Sequence, residues 1–328
     1  MTLHPASLAD LSRLLADCHA AQRPVTSVDL GALAAVREYT PEDMTITAEG
    51  GLTLAALQTT LAARGQWLPI DPPHADRVTL RQLLSENLFG SRRCGFGTIR
   101  EHLIGLEAVL PDGRVTHSGG RVVKNVAGYD LLKLFVGARD SLGIITAATF
   151  KLRPLPAAEI ILSATFPSLA AAWTAVEAIL ASPVTPVILD LHNLAADASA
   201  SATFTVRLGF AGTPAEVEWQ RAHASGFSLS LYQLRGAGRG EGLSPHAPDP
   251  EQAFWSSALP VHTHSVLPSK LPAAIAALGP APFLARAANG IIHHRSTALP
   301  SPTKGLDALS RRLKDTFDPH HILPALPA

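Results

Sequence analysis

Residues 91–102 read Ser-Arg-Arg-Cys-Gly-Phe-Gly-Thr-Ile-Arg-Glu-His. Arg92 and Arg93 bring two guanidinium groups next to Gly95, Gly97 and the hydroxyl of Thr98. Such a set suits an anion, because glycine lets the backbone approach a phosphate and N–H or guanidinium donors form charge-assisted hydrogen bonds. The same residues also describe a charged bend between two elements. No standard nucleotide motif settles the choice. Arg100 stands where a G-x-G-x-x-G would need its third glycine, and neither a Walker-type loop nor a G-x-S-x-G elbow occurs.

Three other groups of residues carry chemistry. Residues 119–146 hold separated glycines (Gly119, Gly120, Gly128, Gly137, Gly143) around two polar islands, Lys124-Asn125 and Tyr129-Asp130. Read by themselves they describe turns, with Asp130 as a helix N-cap. Fourteen histidines include His262 and His264, which strand alternation puts on one face, and the adjacent pair His293-His294. The alternating pair has workable metal-ligand spacing but lacks a third ligand. We therefore expect no metal and read these as partly exposed sheet histidines. Arg286 and Arg295 either grip a carboxylate bidentately or lie on a solvated sheet edge.

Composition narrows the classes. The 328 residues favour two domains, and 47% hydrophobic with 16% charged residues describes a globular chain. Zero formal net charge gives no long-range pull on nucleic acid or an anionic membrane surface. No apolar run is long enough to span a bilayer, and the N-terminal segment, with Asp10 and Asp17, does not resemble a secretory signal. Cys18 and Cys94 are too few for an iron–sulfur cluster or a zinc site, and read as two buried thiols in a reducing cytoplasm.

The elements that must position these groups are legible. Ser7 caps a helix bearing Leu8, Leu11, Leu14, Leu15 and Cys18; residues 44–50 alternate as a strand; Thr53 caps a helix to Ala63, stopped by Gly65. A short helix follows Thr79, with Leu80, Leu83 and Leu84 turned inward. Pro111-Asp112-Gly113 turns a hairpin, and a strand runs from Gly143 to about Arg153. After Pro154 and Pro156 the pattern is strand 158–166, helix 168–181, strands 186–192 and 203–210, helix 214–225 and strand 227–234. That order is the split β-α-β-β-α-β, ferredoxin-like motif. Residues 235–252 read as an exposed Gly/Pro-rich loop, and a strand-helix-strand-strand-helix series follows to about Phe317. His320-His321 are expected at the surface.

In order along the chain, "GTIREHLIGLEAVLPDG", "GGRVVKNVAGYDLLKLFVG", "SLGIITAATFKLRPLP" and "RRLKDTFDPHHILP" resemble the flavin domain of the FAD-linked oxidases. This is the p-cresol methylhydroxylase (PCMH) or vanillyl-alcohol-oxidase type, and the resemblance is strongest to the smaller flavin-type subunit of bacterial glycolate oxidases. It implies an α+β fold with a PCMH-type FAD-binding domain, shortened at its start, over 1–155. A ferredoxin-like α+β cap would occupy 156–328, its C-terminal segment returning to the flavin domain. It also implies FAD as cofactor, its diphosphate held by main-chain N–H groups of glycine-rich loops. Thr79, Gly90, Gly97, Thr98, Asn125, Gly128, Gly143, Ile144 and Ile145 would lie along the flavin, with Tyr129 close by.

Two stretches depart from the family pattern. The Gly-Gly-Gly-Thr/Ser loop expected after the first helix and strand is missing from residues 20–39, and Thr79-Leu80-Arg81-Gln82 replaces Thr-Leu-Gly-Gly. The resemblance implies a subunit of a glycolate oxidase-type complex oxidising a 2-hydroxy acid to the 2-oxo acid. Its partners would be a larger flavin-type subunit and a separate iron–sulfur subunit, in the cytoplasm, with membrane association only through partners. The catalytic residue stays unassigned. The departures motivate the alternative, a flavin-free scaffold of such a complex.

Overall fold

The computed structural model describes residues 1–120, 132–194, 203–227, 230–236, 250–296 and 308–326. The chain divides into two units: Met1–Gly90, Thr98–Leu155 and Lys304–Ala328 form one, and Ser91–Gly97 with Pro156–Thr303 form the other. A first domain over 1–155, as the sequence implies, would contain residues 91–97. Their grouping with the second changes what those arginines do.

The first unit opens with α1 (Leu8–Ala20), where the Ser7 hydroxyl accepts the Asp10 N–H and Leu11, Leu15 and Cys18 are buried. Strands β1 (Val36–Thr40) and β2 (Thr45–Glu49) form a hairpin. Helix α2 (Leu54–Ala62) is capped by Thr53, and α3 (Leu80–Ser85) by a Thr79–Gln82 capping box. Past α4 (Arg93–Phe96), which belongs to the second unit, α5 (Ile99–His102) leads into β3 (Leu103–Val109) and β4 (Val115–Gly119), joined by the turn at 111–113. The single turn α6 (Leu132–Phe135) precedes β5 (Ile144–Lys151). The strands make one antiparallel sheet in the order β1-β2-β5-β3-β4. One face carries Ile46, Ala48, Leu106, Ala148 and Phe150 into a core with the leucines of α2 and α3. This is the period-2 alternation meeting the helical period at one apolar layer.

The second unit runs β6 (Ala158–Phe166), α7 (Leu169–Leu180), β7 (Ile188–His192), β8 (Phe204–Gly212), α8 (Pro214–Ala224) and β9 (Ser230–Gly236). The expected β-α-β-β-α-β series is present. Helix α9 (Pro250–Ser256), β10 (His262–Ser265), α10 (Leu271–Ala277), β11 (Phe283–Arg286) and β12 (Ile291–His294) follow, and α11 (Ala308–Phe317) belongs to the first unit. All seven strands join one antiparallel sheet, ordered β9-β6-β8-β7-β11-β12-β10. Ile160, Leu162, Leu191, Val206, Leu208, Phe210 and Ile292 lie on the face packed with α7 and α10.

Four expectations are corrected. Residues 250–252 begin α9 rather than ending a loop; residues 237–249 lie outside the described residues. His264, His293 and His294 are buried at 9%, 6% and 0% exposure, because their strands are covered. Cys94 is half-buried rather than buried. Residues 93–96 form a helical turn rather than an open bend.

Candidate functional site

The opposite face of the seven-stranded sheet carries a group of charged and imidazole side chains, whose positions follow from register. Asp190 pairs with Arg207 of β8 on one side and Arg286 of β11 on the other. His192 pairs with Thr205 and Leu284, and Leu284 with His293. Paired residues share a face, so Arg207, Asp190, His192, Arg286 and His293 converge across four strands. All five are under 9% exposed.

The charges pair in a chain. Arg286 Nη1 donates to Asp190 Oδ2 at 2.8 Å and to Ser91 Oγ at 2.5 Å, while its Nη2 donates to Glu251 Oε1 at 2.5 Å. Arg207 Nη1 donates to Glu251 Oε2 at 2.9 Å, and Trp255 Nε1 to Glu251 Oε1 at 3.2 Å. The 91–97 segment closes over this face. Arg92 Nη2 reaches Glu159 Oε1 at 2.5 Å, Cys94 Sγ donates to the Pro186 carbonyl, and Gly95 N to that of Val187. Gly95 is required there, since a Cβ would come 2.7 Å from Val187 Cα.

Burial sets the protonation states. It holds the Asp190 carboxyl above its ordinary range, with Arg286 and Arg207 pulling down and Glu251 pushing up. Burial opposes ionisation of Glu251, but Arg286 and Arg207 overcome it and bring the carboxyl down to about 2. Burial, then a neighbouring guanidinium, lowers His192 to about 4 and His293 to about 3, so both rings are neutral at ordinary pH. The Cys94 thiol is pushed up to about 11 by burial and by Asp190. The result is a packed network in which two guanidinium groups share two carboxyls beside neutral imidazoles, the donor set that carboxylate binding uses.

The other expected residues do not join this cluster. Arg295 donates to the carbonyls of Phe254 and Leu259 and lies 4.8 Å over the Phe254 ring, so it is neither a carboxylate clamp nor a solvated edge. His262 and His264 share a face with His294, at ring-centroid distances of 5.6 and 4.9 Å from it. Among the described residues no group of three His, Cys, Asp or Glu is placed to hold a metal ion. Glu251 and Asp190 escaped sequence reasoning because Glu251 sat in a stretch read as loop and Asp190 in an apolar strand.

The positions matched to the flavin lie mostly in the first unit. Thr79 and Thr98 are N-caps whose hydroxyls face Gln82 and Glu101. Gly90 is pressed against the backbone, where a Cβ would meet the Asp71 carbonyl at 1.8 Å. Gly97 has φ +78 and, in the second unit, donates its N–H to Arg93. Gly143 adjoins Val109 and Phe135, and Ile144 and Ile145 point into two different apolar cores. Asn125, Gly128, Tyr129 and Asp130 lie outside the described residues.

The stretch in place of Gly-Gly can be tested for a diphosphate. The N–H groups of Gly50, Gly51, Leu80 and Arg81 donate to the carbonyls of Thr146, Leu33, Leu52 and Gly50 at 2.7–2.9 Å. The Gln82 N–H donates to Thr79 Oγ1. The Arg81 guanidinium is paired with Asp140, and a Cβ on Gly50 would stand 3.2 Å from Leu30 Cδ1 and 3.4 Å from Arg81 Cβ. Donors and space that a diphosphate would need are taken by the chain itself, so on this side the residues present do not fit the group.

Residues 18–119 match the family described as FAD binding domain. This match and the named relatives support an FAD-linked oxidase family member with FAD as cofactor. It is 35% identical over 155 residues to glycolate oxidase subunit GlcD of Bacillus subtilis (strain 168), covering 47% of this chain and 33% of that one. Glycolate oxidase subunit GlcE of Escherichia coli (strain K12) is 36% identical over 141 residues, 42% of this chain and 40% of its own. A probable mitochondrial D-lactate dehydrogenase of Danio rerio is 30% identical over 250 residues, 67% and 50%. The matches thus span a third to a half of these relatives. A solved structure of alkyldihydroxyacetonephosphate synthase shares the fold over 98% of this chain and 76% of its own, with TM-score 0.70 at 18% identity. No helix among the described residues is long and apolar enough to cross a membrane.

Proposed function

We propose that this chain is a subunit of a glycolate oxidase-type, FAD-linked complex that converts a 2-hydroxy acid to the 2-oxo acid. The observation that carries the reading is the buried constellation of Arg286 and Arg207 beside the neutral rings of His192 and His293. Two guanidinium groups suit the substrate carboxylate. Two relatives bear names that mark them as glycolate oxidase subunits, which supports assembly with a larger flavin-type chain. An iron–sulfur partner is part of the same reading, since this chain has only two cysteines.

A specific observation favours a second reading of the role within that assembly. The Arg81–Asp140 pair fills the stretch that stands in place of the family's Gly-Gly, with Leu30 beside Gly50, which supports the chain acting as a flavin-free scaffold. The test is co-expression with a larger flavin-type subunit and a cysteine-rich subunit. Co-purification with glycolate-dependent dye reduction supports the complex. Failure of the chain to associate, or full activity of the other subunits without it, sinks the reading. Flavin absorbance of the chain purified alone separates the two roles.

A further inference from the structure

The five-stranded sheet of the first unit ends on two unlike edges. At one, β1 meets β2 through a register shift between Val36 and Glu38 and carries Arg37 and Glu38. A bulge and charges are the usual protection of a free strand. At the other, β4 reads Val-Thr-His-Ser-Gly, with no lysine, proline or acid, and pairs with β3 in unbroken register. Gly120 N donates to the Ile104 carbonyl and Leu110 N to that of Arg114. By the alternation of an antiparallel ladder, Thr116 and Ser118 then bond inward, while Val115 and His117 turn their N–H and C=O groups outward. Among the described residues no strand pairs with that side. Val115 is 38% exposed and the His117 side chain 68%.

A recess of about 210 Å³ adjoins this edge. It is open toward β4, because the paired residues Gly105 and Gly119 bring no side chains to it. On the same face, Arg37 Nη1 donates to both oxygens of Glu107 at 2.9 and 3.0 Å, and its Nε to Glu49 Oε1 at 3.1 Å. Thr146 Oγ1 donates to Glu107 Oε1 at 2.7 Å. Two carboxylates therefore share one guanidinium, and the recess carries one formal negative charge in excess.

We propose that β4 is a docking edge for an extended segment of another protein, one that bears a lysine or arginine reaching over Gly119 toward Glu107. Main-chain hydrogen bonds to Val115 and His117 supply the affinity, and the basic side chain supplies the choice of partner. The added strand stands two strand spacings, roughly 9.5 Å, from β3, a gap that only a long side chain crosses. A second copy of this chain is a poorer occupant, since its own β4 has no lysine or arginine to answer the excess charge. The docking edge is independent of the flavin and of the hydroxy-acid reading.

The experiment uses the full chain and two capped peptides, Thr-Val-Thr-Lys-Thr-Val-Thr and its counterpart with Glu in place of Lys. Saturating lysine peptide should slow amide exchange at Val115 and His117 by roughly tenfold or more. The glutamate peptide should bind about fivefold or more weakly than the lysine peptide. His117→Pro removes an outward N–H and no ladder bond, so it should fold and lose the protection at Val115. Glu107→Gln should bring the two peptides to equal affinity, and Glu49→Gln serves if that variant does not fold. No protection by either peptide, or a glutamate peptide that binds as well as the lysine peptide, overturns the proposal. A concentration-dependent dimer of the chain alone, abolished by His117→Pro, also overturns it, because the edge then belongs to a second copy.

Discussion

Arg286 and Asp190 face each other across neighbouring strands, 2.8 Å apart from Nη1 to Oδ2, each side chain only 1% exposed. A buried pair of this kind is a weak source of net stability, but removing one partner strands the other charge. Arg286→Met should lower unfolding free energy by about 3–5 kcal/mol. Adding Asp190→Leu should recover part of that loss, which urea denaturation of both single variants and the double variant measures. Additive losses would mean that the two groups do not act as a pair.

Acid should weaken the second unit through its histidines. His192 and His293 titrate at about 4 and about 3, against an ordinary 6.5. Below 6.5 the unfolded chain therefore binds protons that the folded chain refuses, so stability falls as pH falls, down to those values. The slope is about 1.4 kcal/mol per pH unit for each histidine. Glu251, depressed from 4.5 to about 2, adds a separate loss as pH drops between those two values. Denaturant midpoints should be lower near pH 5 than near pH 7, whereas Glu251→Gln should alter only the more acidic part. A flat profile over the upper range would contradict the assigned burial.

Lys314 is an internal staple of the first unit. Its Nζ contacts Asp318 Oδ2 at 2.6 Å and the carbonyls of Ser141, Pro324 and Leu323. Asp318 in turn accepts the N–H groups of Ile322 and Leu323. Lys314→Met should cost about 3–5 kcal/mol by leaving Asp318 as a buried uncompensated charge. Faster amide exchange at Ile322 and Leu323 than in the wild type is the local signature.

The Arg81–Asp140 pair should control flavin affinity. Each main-chain bond to a charged phosphate contributes about 1.5–3 kcal/mol, so losing two costs roughly two to four decades in dissociation constant. The wild-type chain should bind FAD weakly and purify with little visible absorbance. Arg81→Gly with Gln82→Gly should tighten FAD about tenfold or more, followed by quenching of flavin fluorescence. Stoichiometric FAD in the wild type would show that other groups hold the diphosphate.

Local signals carried most of the element order. Ser7, Thr53, Thr79 and Thr213 cap the helices they precede, because a short hydroxyl satisfies an N–H that the helix leaves unpaired. Alternation marked β2, and the turn at 111–113 fixed one hairpin. The family was legible in the linear motifs around residues 97–113 and 119–153.

What the chain's linear order determined by itself was therefore its elements, its family and the replacement of two glycines by Arg81 and Gln82. Tertiary structure alone decided that residues 91–97 join the second unit and that Arg286 is buried. It alone brought Asp190, Arg207 and Glu251 together from three separate stretches. The reason is that a buried charge network depends on strand register and on pairing between distant segments. Each such residue taken singly looks like any surface arginine or acid, and only the partner across the sheet makes its burial affordable.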